Sequence, residues 1–194
     1  MLVDLNKLFE PKNESKTDAF AFDHLFPKSV DFKGEPHSIL IKHIGKLEQN
    51  SIINFWTFGR WAMHDLLNYI VRQTGPVSVN ACTWAICEDA VQVILNRMSD
   101  GLITDFKLWI DPRVKVRNPE PLKMCLANFP VAINPVHAKV CTIDNKDWKI
   151  SVSGSLNFTT NPQPERGIIQ CIESVYLKDN QIIENEFTNG KTDR

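Results

Sequence analysis

From Ile39 onward the apolar positions switch repeatedly between a short-run pattern and a helical one. Ser51 to Phe58 (SIINFWTF) is apolar and rich in β-formers, and Gly59 ends it, so it reads as a strand. Met63, Leu66, Leu67 and Ile70 then fall at i, i+3, i+4, i+7, one face of a helix that Gly75-Pro76 stops. Residues 77–86 (VSVNACTWAI) read as a buried strand. Cys87, Ala90, Val91, Ile94, Leu95 and Met98 make a second helical stripe, with Glu88 and Asp89 suited to its positive N-terminal end and Gly101 closing it. Residues 105–110 (DFKLWI) form a strand closed by Asp111-Pro112. Leu122, Cys125, Leu126 and Phe129 give a third stripe, with Pro121 tolerated in its first turn. Strands then dominate, over 131–134, 136–143, 149–153 and 167–172, and Asp144 to Asp147 (DNKD) makes a hairpin turn. Residues 181–187 fit a helix or a hairpin equally. Alternating β and α followed by hairpins predicts an α/β fold, an α/β/α sandwich whose mixed β-sheet carries helices on both faces.

Composition narrows the function classes. A chain of 194 residues, 43% hydrophobic, can build a substantial core. Lys plus Arg total 22 against 23 Asp plus Glu, a formal net charge of −1, so no global positive field recruits nucleic acid or anionic lipid. A local basic groove remains compatible with that balance. The five cysteines are odd in number, include no C-x-x-C pair and have no histidine beside a pair; this argues against a zinc site and a disulfide framework. Most fall at apolar positions, as small hydrophobes do. The opening MLVDLNKLFEPKNESK is too charged for a signal peptide, and no run approaches the ~18 apolar residues of a membrane span. A reducing, cytoplasmic setting is the expectation. Residues 1–36, with Pro11, Pro27, Pro36 and the cluster Phe20, Phe22 and Phe26, read as an N-terminal arm, packed through its aromatics or loosely ordered. The domain proper is expected over 37–194.

The chemistry concentrates in residues 135–167. His137 and Lys139 are two apart on a predicted strand, so both point to one face, about 6–7 Å apart. Beyond the hairpin and Gly154, Ser155 and Asn157 are again two apart. If the strands pair, the four side chains converge at the end of the sheet. A point charge, an amide donor and a hydroxyl suit an oxyanion with several oxygens, phosphate above all. A histidine beside them can attack phosphorus or transfer a proton. Gly154 allows close backbone approach. An isolated H-x-K is usually a solvated face and G-S-L-N an ordinary turn; it is their ordered combination, in a chain with five histidines, that carries weight.

Other motifs offer less. Gly45-Lys46 lacks the rest of a P-loop, and no G-x-S-x-G occurs. His64-Asp65 reads as a surface pair or a helix cap before a catalytic pair. The five tryptophans read as core and rim, with Trp61 kept as a substrate contact. Arg113, Lys115 and Arg117 share one loop, ordinarily a solvated one, from which Arg113 could reach a backbone phosphate.

The string H-A-K-V…D…G-S-L-N-F-T resembles the HKD motif of the phospholipase D superfamily, H-x-K-x4-D followed by G-S-x-N. His137, Lys139 and Asp144 fit the first part, and Gly154, Ser155 and Asn157 the second, across a longer interval than is usual. GRWAMHDLLNYI and NPQPERG also look like small single-motif members from phage and bacterial genomes. Sites of the family use two copies of the motif, and this chain has one. The resemblance therefore implies a homodimer joining two copies across a twofold axis.

It also implies roles. His137 would be the nucleophile, forming a phosphohistidine, while the partner subunit's His137 protonates the leaving oxygen. Lys139 and Asn157 would hold the non-bridging oxygens, and Ser155 would assist or orient. Glu165, with Glu173 as the weaker choice, would fix the other nitrogen of the histidine. Asp144 reads as structural. No metal or other cofactor is called for. The implied function is a metal-independent phosphodiesterase, first a nuclease acting on nucleic acid. Phospholipid hydrolysis or phosphatidyl transfer is an alternative, as is a non-catalytic phosphate- or nucleic-acid-binding scaffold.

Overall fold

The structure, a computed structural model, describes residues 36–189. The expected arm, 1–36, lies outside them apart from its last position. The first described helix, α1 (Pro36–His43), precedes β1 (Ile52–Trp56) and α2 (Met63–Thr74). Then follow β2 (Val77–Thr83), α3 (Glu88–Ser99), β3 (Ile103–Ile110), the single turn α4 (Val114–Arg117) and α5 (Pro119–Asn128). The chain continues with β4 (Val131–Ile133), β5 (Val140–Asp144), β6 (Lys149–Gly154), β7 (Arg166–Gln170) and α6 (Glu173–Asn189). Seven strands form one sheet in the order β1-β7-β6-β5-β2-β3-β4. The pairs β2–β3 and β3–β4 are parallel and all others antiparallel. This is the mixed-sheet sandwich that the sequence pattern predicts.

Alternation along the central strands assigns the two faces. Val79 and Ala81 of β2, with Phe106, Leu108 and Ile110 of β3, are fully buried on one face. There Phe106 meets Phe129, at the end of α5, edge to face at 4.9 Å. Asn80, Lys107 and Trp109 point the other way, toward α6. The stripe of α2 (Met63, Leu66, Leu67, Ile70) is buried throughout, and Ala90, Val91 and Ile94 of α3 likewise. Leu126 of α5 is exposed, so that helix buries a narrower face than its spacing suggests.

The ambiguous C-terminal segment is a helix. Its contact with the sheet is largely polar: Asn80 Nδ2 donates to Asn180 Oδ1 and Glu184 Oε1, both at 2.8 Å. Lys107 Nζ reaches Glu184 at 2.9 Å, and the Ser151 hydroxyl bonds Asp179. A small apolar cluster of Cys82, Val136 and Ile183, flanked by Trp109, Val140 and Phe187, completes the interface. Among the described residues no helix is long and apolar enough to cross a membrane.

Two strand boundaries differ from expectation near the sheet end. Strand β5 starts at Val140 and not at Val136, because residues 134–139 spend their polar groups elsewhere. Trp109 Nε1 donates to the Asn134 carbonyl at 3.0 Å, and the Val136 N–H goes to the Asp111 carboxylate at 3.3 Å. Strand β2 ends at Thr83 and not at Ile86. Beyond it the Ala85 carbonyl accepts the Phe158 N–H, and the Phe158 carbonyl accepts that of Cys87. The loop after β2 is thereby laced to the G-S-L-N segment.

Candidate active site

At the end of the sheet where β2 finishes, β5 begins and β6 gives way to G-S-L-N, a cavity of about 400 Å³ is lined by Trp84, His137, Lys139, Gly154, Ser155 and Asn157. Four side chains from two separated segments thus converge, although His137 and Lys139 precede β5 and do not lie in it. The Lys139 carbonyl accepts the Gly154 N–H at 3.2 Å, which clamps the two halves of the motif together. Glycine is required at that clamp: a Cβ on Gly154 would stand 2.4 Å from the Arg166 carbonyl oxygen and 2.7 Å from the Gly167 Cα.

The imidazole of His137 is exposed, its ring centre 6.3 Å from that of Trp84. Lys139 is 7% exposed, an unusual depth for an ammonium. Its Nζ donates to the His137 carbonyl at 2.5 Å, which fixes the loop that carries the histidine. Burial pulls the Lys139 pKa down, and the nearby Glu165 carboxylate pushes it back up. Ser155 is exposed; its oxygen accepts the Arg166 N–H at 3.1 Å and its N–H donates to the Arg166 carbonyl at 2.9 Å. Asn157 Oδ1 lies 3.2 Å from the Thr83 hydroxyl, and its carbonyl takes the Met63 N–H that opens α2. With Oδ1 turned toward Thr83, the two Nδ2 donors are left for a ligand.

Glu165 is 7% exposed, and burial raises its carboxyl pKa. Its hydrogen-bond partner is Asn161 Nδ2 at 3.0 Å, and its charged neighbour is Lys139. Within the described residues it makes no hydrogen bond to His137, the contact the resemblance implied. Glu173 is exposed in the first turn of α6. Asp144, at the far end of β5, accepts Lys149 Nζ at 2.9 Å across the hairpin.

Trp61 is not at the cavity. It is 5% exposed, packed between Phe55 at 6.2 Å and His43 at 6.0 Å between ring centres, so its role as a substrate contact is corrected to one in the core. His64 is not on the surface either; it is buried, which lowers its pKa. Asp65 caps α2 by accepting the Ala62 N–H at 2.9 Å. Arg113 is held bidentately by Asp111, at 2.6 and 3.0 Å, and lies over the Trp84 ring at 5.1 Å. Trp84 itself escaped the sequence reading, which placed it inside a strand. Its signal was position: it follows the C-terminal end of a central strand, where ligands gather in open α/β sheets. Burial pushes the thiol of Cys82 up to about 11 and that of Cys125 up to about 12, which leaves neither as a competing nucleophile.

No family model matches the sequence, and neither does any curated protein. Solved structures match in three dimensions. Nuc from Salmonella typhimurium, a phospholipase D family member, aligns with a TM-score of 0.58 at 16% identity, covering 74% of this chain and 98% of its own. NucT from Helicobacter pylori gives 0.52 at 16%, covering 72% and 98%. Phosphatidylserine synthase from Haemophilus influenzae Rd KW20 gives 0.50 at 12%, covering 73% and 40%. The chain has the phospholipase D fold. Identity this low speaks for the fold alone, and the chemistry of this phospholipase D-like chain lies in the residues that line its cavity.

Proposed function

We propose that this chain is a phosphodiesterase of the phospholipase D type, acting on nucleic acid, with one active site built by two subunits. The observation that carries the reading is the convergence of His137, Lys139, Ser155 and Asn157 on one cavity. A ring nitrogen of His137 attacks phosphorus, a phosphorus–nitrogen bond forms, and the bond to the leaving oxygen breaks. The partner subunit's His137 supplies the proton to that oxygen. Water then attacks phosphorus, gives its proton to the same imidazole and frees His137, so a diester and water yield a monoester and an alcohol. Lys139 and the Asn157 amide hold the non-bridging oxygens, where charge builds in the transition state. Ser155 donates a further bond or orients its neighbours. Glu165 acts through Lys139, as a positioning residue. The exposure of His137 in the single chain is consistent with a second subunit facing it across the cavity.

The test is hydrolysis of single- and double-stranded DNA, RNA, bis(p-nitrophenyl) phosphate and phosphatidylcholine vesicles, all in excess EDTA, by the wild type and His137→Ala. The proposal expects cleavage of nucleic acid that survives the chelator and falls by at least ~10³-fold in the variant. Turnover confined to vesicles would shift the reading to phospholipid. No turnover of any substrate would leave a binding role.

A further inference from the structure

One wall of the cavity is unused by the chemistry above. The indole of Trp84 lines the cavity beside His137, and two guanidinium groups lie on it, Arg117 at 4.6 Å and Arg113 at 5.1 Å from the ring centre. The two cations are not equivalent. Arg113 is neutralised by both oxygens of Asp111, a group held well below the usual carboxylate range by that contact. Arg117 is exposed and has no carboxylate partner among the described residues, although Glu88, Asp89 and Glu120 line the adjoining cavity with it. It is a cation seated on an aromatic ring, without an ion pair among the described residues.

Its place relative to the reacting group is bounded by the geometry. The Trp84 and His137 ring centres are 6.3 Å apart, so Arg117 lies no farther from the imidazole than that distance and its own 4.6 Å together. In double-helical DNA each strand advances about 3.4 Å along the axis per phosphate. A neighbouring phosphate on a strand whose diester sits at His137 therefore falls within reach of Arg117. A diester with a single phosphate has nothing to place there.

We infer that Arg117, seated on Trp84, binds a phosphate flanking the one under attack and makes this site selective for nucleic-acid strands over isolated phosphodiesters. This rests on the proposed function, because it takes the His137 cavity as the place of cleavage. Trp84 serves as the platform that orients the guanidinium, and Arg113, fixed by Asp111, supports the same platform. Glu88, Asp89 and Glu120, which line a cavity with Arg117, repel a polyanion, which favours a path along the Trp84 ring.

The experiment compares kcat/KM for a fluorescent oligothymidylate with that for bis(p-nitrophenyl) phosphate in wild type, Arg117→Ala, Arg117→Lys and Trp84→Leu. In parallel, the salt dependence of oligothymidylate binding is measured by anisotropy on His137→Ala with and without Arg117→Ala. The ratio of the two kcat/KM values is expected to fall at least ~10-fold in Arg117→Ala and in Trp84→Leu, with partial recovery in Arg117→Lys. The log–log salt slope is expected to lose about 0.7, the contribution of one phosphate contact on a single strand. An unchanged ratio with an unchanged slope would overturn the inference while leaving the phosphodiesterase reading intact. If neither substrate is cleaved faster than by His137→Ala, the proposed function fails, and the salt slope still decides whether Arg117 binds a phosphate.

Discussion

The carboxylate of Asp111 accepts the backbone N–H of Val136 at 3.3 Å, which ties the C-terminal end of β3 to the segment that presents His137. The same carboxylate holds Arg113 at 2.6 Å and is 2% exposed, so one buried charge sets both the loop bearing His137 and the basic rim. Its pKa is depressed, first by the hydrogen bond from the Arg113 side chain. For a depressed carboxyl the stabilisation is complete above the unfolded value of about 3.9 and is lost as pH falls through the folded value. Asp111→Asn should therefore cost about 1–3 kcal/mol at pH 7 and flatten the acid limb of stability. Urea melts from pH 7 down to pH 2 check this, and parallel pH profiles for the two proteins would count against it.

Lys139 and Glu165 are buried side chains that act on each other electrostatically. Burial lowers the lysine and raises the glutamate, and each partner's charge opposes the other's shift. Removing the carboxylate lets the Lys139 pKa fall further. The pH–rate profile of Glu165→Gln should therefore lose its alkaline limb at lower pH than the wild type, with an activity loss of roughly 10-fold or more on that limb. A profile that drops uniformly at every pH would show instead that Glu165 acts elsewhere.

Gly154 should not tolerate a methyl group. The clash is with backbone of β7 on the neighbouring strand, 2.4 Å from the Arg166 oxygen, so no rotamer relieves it. Gly154→Ala is expected to cost about 3 kcal/mol and to abolish activity. Gly45→Ala is the comparison: φ is +70° and nothing lies within 4 Å, so only the left-handed backbone penalty of about 1–2 kcal/mol applies. Chemical denaturation of both variants gives the order directly.

The Thr83 hydroxyl has one proton and two acceptors, the Ala85 carbonyl at 3.1 Å and Asn157 Oδ1 at 3.2 Å. Donated to Asn157, that proton keeps the amide turned with its own donors toward the cavity. Thr83→Val should cost about 1 kcal/mol in stability and raise KM more than it lowers kcat, while Thr83→Ser restores both. A fall in kcat with KM unchanged would place Asn157 in transition-state stabilisation only.

Much of this was legible in the residues. The stripes of α2 and α3 are apolar at helical spacing because their buried faces are apolar, and G-S-L-N announces a close backbone approach that Gly154 supplies. The start of β5 was not legible, because extended backbone has the same composition whether it pairs with a strand or, as at Val136, with a carboxylate. Helix α6 was ambiguous because Asn180, Asp179 and Glu184 face polar partners on the sheet, so its buried side does not look apolar. Trp61 and Trp84 exchanged roles for a simple reason: residue type says nothing about which tryptophan is sealed by Phe55 and which is left at the end of β2.

In the proposed enzyme two copies of His137 complete one site. Its most direct test is subunit mixing: wild type and His137→Ala are combined in varied ratios, unfolded and refolded together, and assayed on oligothymidylate in EDTA. A shared site in which both imidazoles are needed predicts activity that follows the square of the wild-type fraction. Activity strictly proportional to that fraction would contradict it, since each chain would then be working with its own histidine alone.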